Sequence, residues 1–294
     1  YSERKGGDGL GLRFGKAAKR QPAPAQPNPG PAAPAGPPGV TVCAISLLGG
    51  RKTQQDVLDY RLLPGGTLAA ALCDGMGGLN GGEQAARTAC DGFFAACGTA
   101  EPQTAEEFRQ IARQLDCRVA ALRGAHGRPL EGGSTLVAAL LGRGGLAWLA
   151  VGDSRIGLWR GGTLRWLNRL HNYRLELEEA LRAGELSRDE YENELPRGQA
   201  LVSYLGCGGL KYVDARTGLD WRPGDRLLLC SDGFADLLPS PALDALLGGE
   251  TDLAAAVLPR LEEKGKSADN ASAIVIRCLD TDSERSEYHE PGTL

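Results

Sequence analysis

The chain has 294 residues, 24% charged and 42% apolar, with a net charge of −4 at pH 7. That is ordinary globular composition, in a chain long enough to bury a sizeable core. The acidic balance argues against nucleic acid as a main partner, since a phosphate backbone calls for a basic face, but it allows a local basic pocket for one phosphate group. No apolar run is long enough to span a membrane as a helix, and no signal peptide is read. The sequence opens on Tyr1 rather than Met, so a targeting segment could lie upstream. Its eight cysteines stand singly, none in CxxC spacing, which disfavours zinc. They read as buried, reduced thiols of a cytoplasmic protein rather than a disulfide framework.

Residues 1–39 read as a tether. Arg4, Lys5, Arg13, Lys16, Lys19 and Arg20 lie among glycines, and a Pro/Ala/Gly run follows. Such a segment has too few large apolar groups to offset its ordering entropy, so a spacer of polyproline II character is expected. Docking to a proline-reading domain or to an acidic surface is the functional alternative. A globular domain is expected over residues 40–280, and a polar tail over 281–294. VTVCAISLL, DVLDYRLLP and TLAAALCD read as strands. Residues 79–98 and 103–123 read as helices, with apolar positions three and four apart. STLVAALL, LAWLAVGD, SRIGLWR and TLRWL read as short strands, and the turns RGG and RGGT fit hairpins. Residues 172–195 are charged and helical in character. KYVDARTGLDW, RLLLCSDG, a helical stretch over about 234–264 and a last strand ASAIVIRCL complete the pattern. Hairpin-paired strands with helices in blocks imply an α+β sandwich rather than a doubly wound parallel sheet.

The acids at strand ends carry the chemistry. ALCDGMGG, LAVGDSR and LLLCSDG run an apolar strand into Asp74, Asp153 and Asp232, and Asp269 comes just before the last strand. An acid beside an apolar strand is costly unless it is paired or binds a cation. Carboxylates and carbonyls are hard ligands suited to Mg²⁺ or Mn²⁺, and no His accompanies them. Gly75, Gly152 and Gly233 neighbour three of these acids and allow close backbone approach. Taken singly, DG and GDS are ordinary turn residues. The earlier segment GGRKTQQD adds Asp56 and Arg51, whose guanidinium suits bidentate phosphate recognition.

In this order the segments resemble the type 2C (PPM) metal-dependent serine/threonine protein phosphatases in their bacterial form. GGRKTQQD, CDGMGG, GGSTLVAALL, AVGDSRIGLWRGG, ALVSYLG, PGDRLLLCSDGFADLL and ADNASAIVI carry the resemblance, over roughly residues 41–280. It implies a four-layer αββα sandwich with a metal site at one end. By the same resemblance Asp74 would bridge two Mg²⁺ or Mn²⁺ ions, and Asp232 and Asp269 would complete the first. The Gly75 carbonyl and a water held by Asp56 would serve the second, and Asp153 with Asp232 a third, weaker ion. A hydroxide bridging the metals would hydrolyse phosphoserine or phosphothreonine while Arg51 gripped the phosphate. Asp74, Asp232 and Arg51 would thus be the catalytic set. The substrates implied are phosphorylated proteins, those of a Ser/Thr kinase, in the cytoplasm.

The chain departs from the family pattern in places. Met76 stands where eukaryotic members often have His, and Gln54 and Gln55 where Asn and Glu are common. After Trp166 the usual Thr-x-Asp-His is LNRLHN, with Leu170 before His171. The charged stretch that follows reads either as a solvated amphipathic helix or as a lid that shapes substrate choice. His171 is read as structural, and His126 and His289 have no role. Two alternatives stay open: a regulatory or phosphoprotein-binding module that keeps the fold without turnover, and a hydrolase of small phosphate esters.

Overall fold

The segment LAAALC forms strand β3 (Leu68–Cys73), buried at every position. A strand apolar on both faces must be covered on both, and that requirement sets the layers. The computed structural model describes residues 39–77, 81–124, 127–249 and 252–279. The regions read as tether and tail lie outside these apart from Gly39, as do His126 and His289.

One antiparallel sheet orders its strands β10 (Asp214–Leu219), β7 (Gly145–Val151), β6 (Leu136–Gly142), β3 and β2 (Val57–Leu62). The other orders β1 (Val40–Leu47), β12 (Ala271–Cys278), β11 (Arg226–Cys230), β8 (Arg155–Arg160) and β9 (Thr163–Trp166). Leu68, Ala70 and Leu72 of β3 meet Ile156, Leu227, Leu229, Ile274 and Ile276 between the sheets. The alternate residues Ala69, Ala71 and Cys73 face outward to α1 (Gly81–Thr99) and α2 (Ala105–Ala120). Their small side chains let those helices lie close to the sheet. On the other outer face Leu228, Cys230, Ala273 and Val275 pack under α5 (Asp232–Leu237), α6 (Ser240–Gly248) and α7 (Leu253–Lys264). The order is helices, sheet, sheet, helices, the expected αββα sandwich.

The hairpins form as read. Gly161 and Gly162, at φ +60 and +88, make the two-residue turn between β8 and β9. Residues of this kind suit the primed turns that match strand twist. Three differences from the sequence reading have local causes. The stretch at 172–195 is two helices, α3 (Tyr173–Ala183) and α4 (Arg188–Glu194). Gly184 ends the first in the left-handed region at φ +75, and a Ser187–Glu190 capping box starts the second. The stretch read as helical over 234–264 is three helices, with Pro239 between α5 and α6. The Asp74-Gly75 step is no hairpin turn: Gly75–Gly77 forms a short strand, β4, paired with β5 (Gly132–Ser134). None of the cysteines forms a disulfide with another, but only Cys73, Cys90, Cys97 and Cys230 are buried, and Cys43 and Cys117 are exposed. No helix among the described residues is long and apolar enough to cross a membrane.

Phe93 of α1 is fully buried against β3 and α2. Its replacement by Ala should destabilise the domain by about 3–5 kcal/mol, measured by denaturant unfolding.

Candidate active site

Strand register brings the acids to one end of the sandwich. Cys73 pairs with Val57, Cys230 with both Ala273 and Arg155, and Val151 with Leu136. The residues just past those ends therefore gather. Arg51, Asp74, Gly75, Asp153, Asp232 and Asp269 line one pocket of about 260 Å³. Asp56 does not line it. It lies beneath, 5% exposed, with neither carboxylate oxygen hydrogen-bonded. Nearby hydroxyls bond elsewhere: Ser272 donates to Ser46 Oγ (3.0 Å), and Ser231 Oγ accepts the Ser272 N–H (3.0 Å).

The electrostatics follow from this crowding. Burial pushes Asp56 up to about 6, and the Asp232 charge adds to it. Burial and then the Asp232 charge push Asp153 up to about 7. Asp74 is raised well above the carboxylate range by burial and by the charges of Asp56, Asp232 and Asp153. Asp232 is raised by burial and by Asp269. The one cation lining the pocket is Arg51, whose guanidinium donates to Asp269. Among the described residues no three His, Cys, Asp or Glu side chains already close around a single point. The acids line a pocket instead, with Asp269 turned to Arg51.

Backbone contacts fix these side chains. Asp74 N–H donates to Thr135 Oγ1 and Thr135 N–H to Asp74 O, both at 2.9 Å. Thr135 Oγ1 also meets Ser154 Oγ at 2.8 Å, linking Asp74 to the turn that holds Asp153. Gly75 has no room for a side chain, because a Cβ there would sit 2.2 Å from Gly82 O at the start of α1. Its N–H donates to Gln55 O (3.2 Å). Gln54 Oε1 accepts the Asp56 N–H (3.0 Å), and Gln55 Nε2 donates to Gly77 O (3.1 Å). The two glutamines that depart from the family pattern thus make contacts of their own around Asp56 and β4.

Three positioning residues escaped the sequence reading. Asn270 Oδ1 accepts the Gln55 N–H (2.9 Å), and its Nδ2 donates to Leu48 O (2.8 Å) and Thr53 O (3.2 Å). It pins both ends of the loop that carries Arg51, and its place beside Asp269 was the signal. Thr135 sits in the matched GGST segment. Asp116, mid-helix in α2, is 3% exposed and accepts the Gly206 (2.7 Å) and Gly208 (3.1 Å) N–H groups. It anchors the loop whose Leu205 pairs with Ser134, and nothing local in the sequence marks it.

The raised carboxylates give a pH signature. In the metal-free fold Asp56 and Asp153 hold protons up to about 6 and about 7, whereas unfolded they release them near the ordinary 3.8. The folded state therefore binds more protons through this window, and its stability falls as pH rises across it. In EDTA the melting temperature should drop between about pH 5 and about pH 7.5. Added Mn²⁺ should reverse the drop at the upper end, and an EDTA profile that rises with pH would contradict this electrostatic picture.

The protein phosphatase 2C family profile matches residues 49–269. A serine/threonine phosphatase stp of Listeria welshimeri is 36% identical over 121 residues, 41% of this chain and 46% of that protein, so the chain spans about half of that relative. The stp of Listeria monocytogenes serotype 4b is 31% identical over 187 residues, 62% of this chain and 72% of that one. Among solved structures, the catalytic domain of the serine/threonine protein phosphatase PstP in complex with two manganese ions is 25% identical. It superposes with a TM-score of 0.60 over 82% of this chain and 99% of that chain. The fold, the order of the acids along the chain and these likenesses agree: the chain belongs to the protein phosphatase 2C family.

Proposed function

We propose that this chain is a metal-dependent protein-serine/threonine phosphatase. The observation that carries the reading is the carboxylate cluster, crowded at one end of the sandwich with Arg51 as the lone cation lining its pocket. The residues fit divalent cations. Asp56 is buried with both oxygens unpartnered, and the neighbouring acids raise one another's pKa. Hard oxygen donors without His or Cys among them suit Mg²⁺ or Mn²⁺. Asp74 would be shared between two ions, with Asp232 and Asp269 on the first and the Gly75 carbonyl and Asp56 serving the second. Asp153 with Asp232 would hold a third. Bound there, the cations supply a water acidified toward neutrality and charge that offsets the phosphoryl oxygens. Arg51 is exposed at the pocket rim and can share its fork between Asp269 and a substrate phosphate. Thr135 and Asn270 keep Asp74 and the Arg51 loop in place.

The substrates in this reading are phosphoproteins, specifically those modified by a Ser/Thr kinase, and nucleic acid is no partner. Cysteines that form no disulfide with one another suit a reducing compartment, which supports the cytoplasm. Residues 1–39 would tether the phosphatase domain of 40–280, and 281–294 would form a polar tail.

The deciding assay is hydrolysis of a phosphothreonine peptide by the purified protein, first in EDTA and then with Mn²⁺ or Mg²⁺. Turnover that needs the metal supports the reading. A folded protein with no turnover in any divalent ion would favour a regulatory or phosphoprotein-binding module. Turnover of small esters alone would make the substrate a small phosphate ester. Asp232→Asn should lower kcat by at least about 100-fold. The same variant should leave metal-free stability unchanged or raised, because it removes a like charge and no core volume. Arg51→Ala should raise KM about tenfold and lower kcat less, which steady-state kinetics would show.

A further inference from the structure

His171 is completely buried, and its contacts reach the site from behind. Its backbone N–H donates to Gly152 O (2.9 Å), and its ring Nδ1 accepts the Gly152 N–H (3.1 Å). One residue thus holds both backbone polar groups of the glycine that precedes Asp153. Gly152 sits at φ +99, and a Cβ there would lie 2.7 Å from Thr135 Cγ2. The turn is therefore confined between His171 and Thr135, the residue that also fixes Asp74. On its other side the His171 carbonyl accepts the Val202 (3.0 Å) and Ser203 (3.4 Å) N–H groups. These follow Leu201, which lines the active-site pocket.

The ring has a defined orientation. Because Gly152 donates to Nδ1, the ring proton is on Nε2. Nε2 faces Asp214 Oδ1 at 3.5 Å, a long contact short of a full hydrogen bond. Asp214 accepts from the Arg169 backbone N–H (2.9 Å) and from Nη2 (2.7 Å). Arg169 Nη1 donates in turn to Glu179 of α3 (3.2 Å), which also accepts from the Tyr212 hydroxyl (2.8 Å). The carboxylate missing from position 170 is thus supplied across space by β10. The charged helix α3 is docked on the body rather than solvated all round.

We propose that His171 is a positioning residue for the Asp153 turn, braced by α3 through Glu179, Arg169 and Asp214. It sets the backbone from which the Asp153 carboxylate projects and ties that turn to the rim segment after Leu201. The inference rests on the reading of Asp153 as a metal ligand.

The test compares His171→Leu, which keeps side-chain bulk and loses the acceptor, with His171→Asn, whose amide oxygen can stand where Nδ1 stood. In His171→Leu the Mn²⁺ concentration for half-maximal phosphothreonine-peptide hydrolysis should rise about tenfold, with the peptide KM within about twofold. Amide exchange of residues 151–154, measured by mass spectrometry without metal, should quicken. His171→Asn should restore both readouts most of the way. Asp153→Asn should raise the metal requirement as well, and combining it with His171→Leu should raise it little further. If Asp153→Asn leaves the requirement unchanged, the ligand reading fails, and the exchange of residues 151–154 alone still judges the clamp. A raised requirement in Asp153→Asn with wild-type behaviour in His171→Leu would overturn the inference, as would failure of His171→Asn to restore. Should His171→Leu not fold, Asp214→Asn keeps the imidazole and weakens the brace behind it. Faster exchange at 151–154 and a raised Mn²⁺ requirement are expected there, and wild-type values for both would overturn the proposal.

Discussion

The mutual repulsion of Asp56, Asp74, Asp153 and Asp232 at one end of the sandwich is the constraint on which the site depends. Burial and like charge push all four toward the protonated form. A fold gains nothing in stability by gathering such groups on its own account. They persist because the strands that carry them are locked in register by an apolar core between the sheets, and by helices packed on both outer faces. The core contributes the stability, and the strand ends hold the charge. In the proposed function a divalent cation would convert that liability into binding energy, because the carboxylates would gain a partner on its entry.

The same logic explains the close backbone packing around the acids. Gly75 meets Gly82 of α1 with no room for a methyl group, so the helix start abuts the ribbon that leaves Asp74. Thr135 bonds both polar backbone groups of Asp74, and His171 does the same for Gly152. Both acids are therefore aimed by backbone hydrogen bonds to rigid elements. That is the arrangement the proposed metal site would need, since its carboxylates repel one another while no cation is bound.

Much of this was legible in the sequence. Apolar runs ending in acid predicted the strands and the acids at their ends, hairpin turns and grouped helices pointed to an α+β sandwich, and the family resemblance implied its two antiparallel sheets. Asp74, Asp153, Asp232, Asp269 and Arg51 stood out because each sits in a segment with a recognisable neighbourhood, and the structure gathers them in one pocket. Asp56 stood out too, but its burial away from the pocket lining was not legible, since burial depends on residues far along the chain. Long-range contacts were the least legible. Asp116 reaches Gly206 and Gly208 across 90 and 92 residues, and Asn270 reaches Gln55 across 215. The lone Leu170 looked like a lost carboxylate, and only the fold shows Asp214 facing His171. Helix breaks at Gly184 and near Pro239 were written locally and were overlooked in favour of the overall charge pattern.

The central claim is that this carboxylate cluster exists to hold divalent cations. Calorimetric titration of the EDTA-stripped, dialysed protein with Mn²⁺ tests it without relying on turnover. The account predicts binding of at least two ions per chain, with the stoichiometry reduced in Asp74→Asn although that variant stays folded. Absence of saturable Mn²⁺ and Mg²⁺ binding at millimolar concentration in a folded protein would contradict it.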